Sequence, residues 1–274
     1  MVGRPRPLAA PARPRPIALR VDAVRTLVVI PAYNEEDALP ATLAELALVQ
    51  PDLDVVVVDD GSADRTSAVA RAGGAVVVTL PFNLGVGSAV RTGLRYALDH
   101  QYDRTVVFDA DGQHDARSID VLLEALDGGA DVALASRFGA GTEAYPVGRV
   151  RKSAMRFLAR FVHHLTGQRF TDPTSGYRAF GAPAIRLLAR AYPVEYLADT
   201  VEVLLIVSAA GLTIEEVPSS MRVRTAGQPS NRRFRLVANY LRVLVGLSGA
   251  AVFRKRHDQV AVSGGVPREE DADA

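Results

Sequence analysis

The chain contains no cysteine, so disulfides, thiolate metal sites and cysteine nucleophiles are all excluded. That composition suits a reducing compartment such as the cytoplasm. No apolar run reaches the roughly 18 to 20 residues that cross a bilayer. Charge of one sign is missing too: 32 lysines and arginines stand against 31 aspartates and glutamates, a formal net charge of +1. Such a balance gives no reason to expect nucleic acid as a partner. A Gly-Lys-Ser/Thr phosphate loop and a Gly-x-Ser-x-Gly elbow are both absent. The five histidines show no paired zinc spacing, and the consecutive His163 and His164 point different ways on a helix.

What is present suffices for one sizeable core. The 274 residues are 48% hydrophobic and 23% charged, the balance of one globular α/β domain rather than two large ones. Tails flank it. Residues 1–24 form a basic arm in which Arg4-Pro-Arg6-Pro and Arg13-Pro-Arg15-Pro replace the apolar core of a secretory signal. The arm is expected to be disordered, either solvated or drawn to an anionic surface. Residues 258–274 end in Glu269-Glu-Asp-Ala-Asp273 and read as a second disordered tail.

Between the tails, strand and helix patterns alternate. Thr26 to Ile30, Asp54 to Val58, Ala75 to Leu80, Thr105 to Phe108 and Asp131 to Ala135 are short apolar runs of strand type. Helical patterns separate them at Asp37–Val49, Arg65–Ala72, Gly87–Asp99 and Arg117–Leu126. The succession predicts a mostly parallel sheet with helices on both faces.

From Arg149 to Leu165 the pattern becomes a basic amphipathic helix. Ala154, Met155, Leu158, Phe161, Val162 and Leu165 make its apolar stripe, with Arg149, Lys152, Arg156 and Arg160 on another face. Such a face either lies solvated, sits on a membrane surface or steers anionic ligands. Thr200–Ala210 should be a helix and Leu212–Val217 a strand. Leu236–Phe253 is strongly apolar but interrupted by Asn239, Arg242 and glycines, and fits an interfacial or packing helix.

Three strand ends carry polar clusters: Pro31-Ala-Tyr33-Asn34-Glu35-Glu36, Asp59-Asp60-Gly61-Ser62-Ala-Asp64-Arg65-Thr66, and Asp109-Ala-Asp111-Gly-Gln113-His114. In a parallel sheet all three fall on the carboxyl edge, where ligands bind. Two carboxylates one residue apart in a turn can converge on a hard divalent cation that also takes phosphate oxygens. A base could stack at Tyr33 or Pro31, a ribose hydroxyl could bond Glu35, and Asp60 could accept from a base N–H. The second cluster equally fits a turn glycine and a helix cap. Gly85-Val-Gly87 lacks the third glycine of a dinucleotide fingerprint, since position 90 is Val90, and reads as a turn allowing close ligand approach. His114 is the histidine of interest, because it adjoins the aspartates.

Ile30-Pro-Ala-Tyr-Asn-Glu-Glu36, Val58-Asp-Asp-Gly-Ser62 and Asp109-Ala-Asp-Gly-Gln-His114 resemble the inverting family 2 glycosyltransferases. The likeness is to the branch of dolichyl-phosphate mannose synthases and bacterial polyprenyl-phosphate and polysaccharide transferases. Ala135-Ser-Arg137, Asp172-Pro-Thr-Ser-Gly-Tyr-Arg-Ala-Phe180 and Met221-Arg-Val-Arg-Thr-Ala-Gly-Gln-Pro-Ser230 are similar to that branch too. Asn231 departs from it, where lysine is common.

The resemblance implies a single GT-A domain over 25–235, Rossmann-like, with a nucleotide-sugar half at 25–135 and an acceptor half at 136–235. An apolar or amphipathic helical segment, 236–257, follows. It also implies a UDP- or GDP-linked sugar donor and Mg2+ or Mn2+. Carried over by position, Asp109, Asp111 and Gln113 hold the metal and the donor phosphates. Pro31, Tyr33, Glu35, Asp59, Asp60, Gly85 and Ala110 shape the donor pocket with Asp109. Ser136, Arg137, Arg178, Arg224 and Ser230 meet the acceptor, and Arg137 and Arg224 its phosphate or the donor's.

The implied reaction is an in-line displacement that inverts the anomeric carbon. Its catalytic residues are Asp111, Arg137 and, where the acceptor is a hydroxyl needing a base, Asp199 and Glu202. Asp199 and Glu202 also fit a capping box. Three acceptor readings stay open: a polyprenyl phosphate or cell-envelope glycan, a soluble hydroxyl such as a phosphorylated small acid, or none, in a nucleotide-sugar-binding subunit. A nucleotidyltransferase is a further enzyme reading. The expected place is the cytoplasm, at the cytoplasmic face of a membrane or on a membrane partner protein. The 236–253 face would serve equally as a homodimer surface.

Overall fold

The computed structural model describes residues 24–138, 149–194, 199–219 and 222, the side chains of 149–154 and 199 excepted. Its strands are β1 (Thr26–Ala32), β2 (Asp54–Asp59), β3 (Val76–Thr79), β4 (Arg104–Val107), β5 (Val132–Ser136), β6 (Arg178–Gly181) and β7 (Ile214–Pro218). The helices are α1 (Leu39–Val49), α2 (Thr66–Ala72), α3 (Val86–Asp99), α4 (Ser118–Asp127), α5 (Arg149–Thr166), α6 (Ala182–Ala191) and α7 (Asp199–Ala209). The predicted alternation holds to within a few residues at each boundary. The expected 236–257 segment, both tails and most of the 221–230 loop lie outside the described residues.

The seven strands form one sheet in the order β3-β2-β1-β4-β6-β5-β7. All neighbours run parallel except β6, which is antiparallel to both β4 and β5. Both faces of the central strands are covered, which explains their unbroken runs of branched residues. Val28, Ile30, Val57 and Val106 join a core with Leu39, Leu43 and Leu46 of α1 and Ile119 and Leu122 of α4. On the other face, α3 buries Ala89, Val90, Leu94 and Ala97.

Register then places the polar clusters. β1 lies between β2 and β4, with Ala32 opposite Asp59 and Val29 opposite Val107. Chain order therefore reverses between β1 and β4, and a crevice opens beyond the carboxyl ends at such a switch point. The 31–36, 59–66 and 109–114 segments leave the sheet there side by side.

In α5, Met155, Leu158 and Val162 are buried as the stripe predicts, while Arg156 and Arg160 are exposed. No described helix is long and apolar enough to cross a membrane.

Glycine at position 93 lets α3 sit directly on β1: a Cβ there would lie 2.2 Å from Cγ1 of Val29. Gly93→Ala is expected to destabilise the fold by about 1–3 kcal/mol through overpacking. In urea denaturation, Gly93→Ala combined with Val29→Ala should cost less than the two single changes added together. Strict additivity would show that the two positions do not compete for space.

Candidate functional site

Backbone-to-side-chain hydrogen bonds stitch the first two clusters into one frame. Asn34, in the left-handed region at φ 54°, donates its N–H to Ser62 Oγ at 2.9 Å, and its own Oδ1 accepts from Ala63 at 2.9 Å. Glu35 N–H donates to Thr66 Oγ1 at 2.9 Å, and Glu36 N–H to Asp64 at 3.1 Å. Gly61 has φ +72°, and a Cβ there would lie 2.5 Å from the Phe82 backbone, so the turn accepts no larger residue. Tyr33 stays 46% exposed on the rim, where a planar ring could stack on it.

The adjacent aspartates divide their work. Asp59 accepts the Ser62 N–H at 2.9 Å and the Ser67 hydroxyl, which fixes the turn into α2. Asp60, 3% exposed, accepts the N–H groups of Leu84 and Gly85, both at 2.8 Å. Burial raises its pKa and Asp59 adds to the rise, while the two N–H donors oppose it. Asp60 therefore latches the 83–85 turn against the β2 end, so its carboxylate reaches a base only with the lone pairs those N–H groups leave. Gly85 stands in that turn at φ +92°.

The 109–114 turn is held from beneath. Thr42 Oγ1 donates to the Ala110 carbonyl at 2.9 Å, and Ala116 N–H donates to Glu45 at 3.0 Å. Gly112 supplies the positive φ of +72°. Asp111 accepts the Gln113 N–H at 3.0 Å, while the Asp109 side chain is 38% exposed. No Cβ stands at Gly176 beside Asp109; one placed there would be 4.0 Å from Oδ2. Among the described residues, no group of three or more histidine, aspartate or glutamate side chains could hold a metal by itself. Two carboxylates and an amide in one turn are oxygen groups of the kind that magnesium accepts alongside water and phosphate.

His114 lies under this turn, stacked on Tyr177 with ring centroids 4.2 Å apart and edge-on to Phe108 at 5.3 Å. Burial pushes its pKa down to about 4; the Asp111 charge opposes this and Arg137 reinforces it. The imidazole is therefore neutral at pH 7.

Arg137 is gripped bidentately by Asp172, with Nε at 2.6 Å and Nη2 at 2.8 Å, and Nη2 also donates to Thr174 at 2.9 Å. Asp172 is fully buried, so the fork is an ion pair shielded from water on one side.

Two residues expected at the acceptor, Ser136 and Arg178, are both buried. The Ser136 hydroxyl pairs with Thr171 at 2.6 Å. The Arg178 guanidinium donates to the carbonyls of Ser175 at 2.8 Å and Thr200 at 2.7 Å, tying the 173–175 turn to α7. Glu202 lines a cavity of about 390 Å³ with Arg91, Arg190, Tyr192, Pro193 and Val194, and none of these belongs to the strand-end clusters. The Asp199 side chain, Arg224 and Ser230 lie outside the described residues.

Sequence reasoning missed the α1 pair Thr42 and Glu45, and it missed the partners of two residues inside quoted motifs, Asp172 under Arg137 and Arg222. Arg222 donates its N–H to the Gln113 carbonyl at 2.9 Å and its guanidinium to Glu45 at 2.6 Å. The three-residue spacing of Thr42 and Glu45, two polar side chains in an apolar helix, is the trace that pair left in the sequence.

A family model, Glycosyl transferase family 2, matches residues 27–187, more than half of the chain and all three clusters. The chain belongs to glycosyltransferase family 2. Its curated relatives include the polyprenol monophosphomannose synthase of Mycolicibacterium smegmatis, 35% identical over 57% of this chain and 61% of that protein. The undecaprenyl-phosphate mannosyltransferase of Micrococcus luteus is 35% identical over 60% of this chain and 70% of that one. These names fit the polyprenyl-phosphate branch that the motifs resemble. Among solved structures, glucosyl-3-phosphoglycerate synthase from Mycobacterium tuberculosis superposes with a TM-score of 0.63. It is 22% identical and covers 81% of this chain and 78% of its own. Family 2 membership makes the chain a glycosyltransferase, and the likeness in structure is to the GT-A fold expected from the motifs.

In this glycosyltransferase, Asp172→Ala would strand the Arg137 charge in a largely buried place. Urea denaturation should show a loss of about 3–5 kcal/mol. A loss near that of an exposed pair, below about 1 kcal/mol, would mean that water already screens the fork.

Proposed function

We propose that the chain transfers a sugar from a UDP- or GDP-linked donor to a polyprenyl phosphate, with Mg2+ or Mn2+ bound at Asp109, Asp111 and Gln113. The observation that carries this reading is the convergence of three polar strand ends at the switch point between β1 and β4. Two relatives named for polyprenol or undecaprenyl phosphate support the acceptor class. The structural relative was solved with Mg2+ and UDP, which supports the donor class and the metal.

Residues 25–135 then serve as the donor half and 136–235 as the acceptor half. Pro31, Tyr33 and Glu35 border the nucleoside, and Asp60 with Gly85 closes its inner wall. The bound cation would neutralise the growing charge of the leaving diphosphate. Arg137, held by Asp172, adds a second fixed positive charge on the same side. An acceptor phosphate oxygen is already anionic and attacks the anomeric carbon without a base. In that case Asp199 and Glu202 are not needed as proton acceptors, and Glu202 acts in the α3–α6–α7 cavity only structurally. A lipid-linked acceptor brings the reaction to the cytoplasmic face of a membrane, where the exposed Arg156 and Arg160 of α5 would meet anionic headgroups.

Calorimetric titration with UDP and GDP, with and without Mn2+, tests the donor site. One nucleotide should bind in a metal-dependent way, and Asp111→Ala should weaken that binding at least about tenfold. Absence of metal-dependent binding by either nucleotide would remove the donor-site reading. Label from the matching donor sugar should then partition into the organic phase when polyprenyl phosphate is supplied. Label found only in the aqueous phase would transfer the proposal to a soluble hydroxyl acceptor.

A further inference from the structure

His114 is the buried titratable group at the clamp that the proposed chemistry leaves without a task. Its Nδ1 accepts the backbone N–H of Asp109 at 3.0 Å. A neutral imidazole carries one proton, so an accepting Nδ1 puts that proton on Nε2. Nε2 lies 3.3 Å from Oδ2 of the same Asp109. The histidine is 1% exposed, and parallel stacking on Tyr177 with the edge of Phe108 against it leaves the ring no room to turn.

One detail gives this arrangement a direction. Nε2 is buried and has no well-aligned hydrogen-bond partner among the described residues, although the Asp109 carboxylate is its neighbour. An unsatisfied buried donor is costly, and a small rotation of that carboxylate would satisfy it. Such a rotation turns one carboxylate oxygen to the histidine.

We propose that His114 is the positioning residue of the cation clamp, holding Asp109 by its backbone N–H through Nδ1 and by its carboxylate through Nε2–H. The proposal rests on the reading of Asp109 as a cation ligand. It reverses the familiar order in which a histidine binds the metal and a carboxylate orients it. Here the carboxylate would bind and the histidine would orient. A histidine that only orients the carboxylate acts on cation affinity and leaves metal-free nucleotide contacts alone.

Two substitutions separate positioning from packing. His114→Asn keeps an oxygen near the Nδ1 position and has nothing at the Nε2 position. His114→Gln carries an amide out to that second position. Mn2+ affinity, read by the electron paramagnetic resonance of free Mn2+ at saturating nucleotide, should fall about 10–100-fold in the asparagine variant and largely recover in the glutamine variant. Equal Mn2+ affinity in wild type and His114→Asn would overturn the proposal. So would a glutamine variant as weak as the asparagine one, since a packing role lowers the melting temperature of both without splitting their metal affinities.

A third measurement needs no variant and no metal. Side-chain 15N spectra of the wild-type protein should show His114 protonated at Nε2, and protonation at Nδ1 instead would refute the proposal even if neither variant folds. A wild type without metal-dependent nucleotide binding would defeat the donor-site reading. Binding that ignores position 114 defeats only this inference.

Discussion

Central strands buried on both faces cannot carry a charge through the core, and this constraint shapes the whole molecule. β1, β2 and β4 run through the interior on valine, leucine and isoleucine. Charged residues gather at the strand ends, as Arg104 and Asp54 at the entry and Asp59, Asp60 and Asp109 at the exit. Parallel pairing aligns the exits, so three unconnected acidic segments become one surface.

The site built there uses its carboxylates unequally. Asp59, Asp64 and Asp60 spend their lone pairs largely on backbone N–H groups of the frame, at distances near 2.9 Å. Asp172 spends its own on Arg137. Asp109 and Asp111 sit in a turn that Thr42, Glu45, Gly112 and His114 have already shaped, and both side chains keep access to solvent. Rigidity of the frame thus comes from acids that face inward, while Asp109 and Asp111 are the two that stay partly exposed. Preorganisation of this kind means that little reorganisation is required when a polyanion arrives.

Much of this was legible in the sequence because it depends on short-range patterns. Continuous branched runs gave the strands, and the residues after each run gave the clusters. The family assignment followed from three such clusters in order. What was hidden depends on contacts between distant segments. Ser136 and Arg178 sit in motifs that resemble an acceptor site, yet β5 and β6 draw them inside, where a serine hydroxyl and a guanidinium hold Thr171, Ser175 and Thr200. The four-residue strand Arg178–Gly181 has no strand signature, since it begins on an arginine and ends on a glycine. No local pattern reveals that Leu84 and Gly85 come to the oxygens of Asp60 from 24 and 25 residues away.

The reversed strand β6 has a geometric consequence of its own. Each parallel strand reaches the cleft with the chain that leaves it, whereas an antiparallel strand reaches it with the chain that enters. The 172–177 segment accordingly arrives at the rim before β6 begins, bringing Asp172 to Arg137, Gly176 to Asp109 and Tyr177 to His114. One change of direction lets a later stretch of the polypeptide share an edge already occupied by β1, β2 and β4. β4 and β5 are thereby spliced through β6 at the level of the sheet, so the two walls of the crevice share backbone hydrogen bonds.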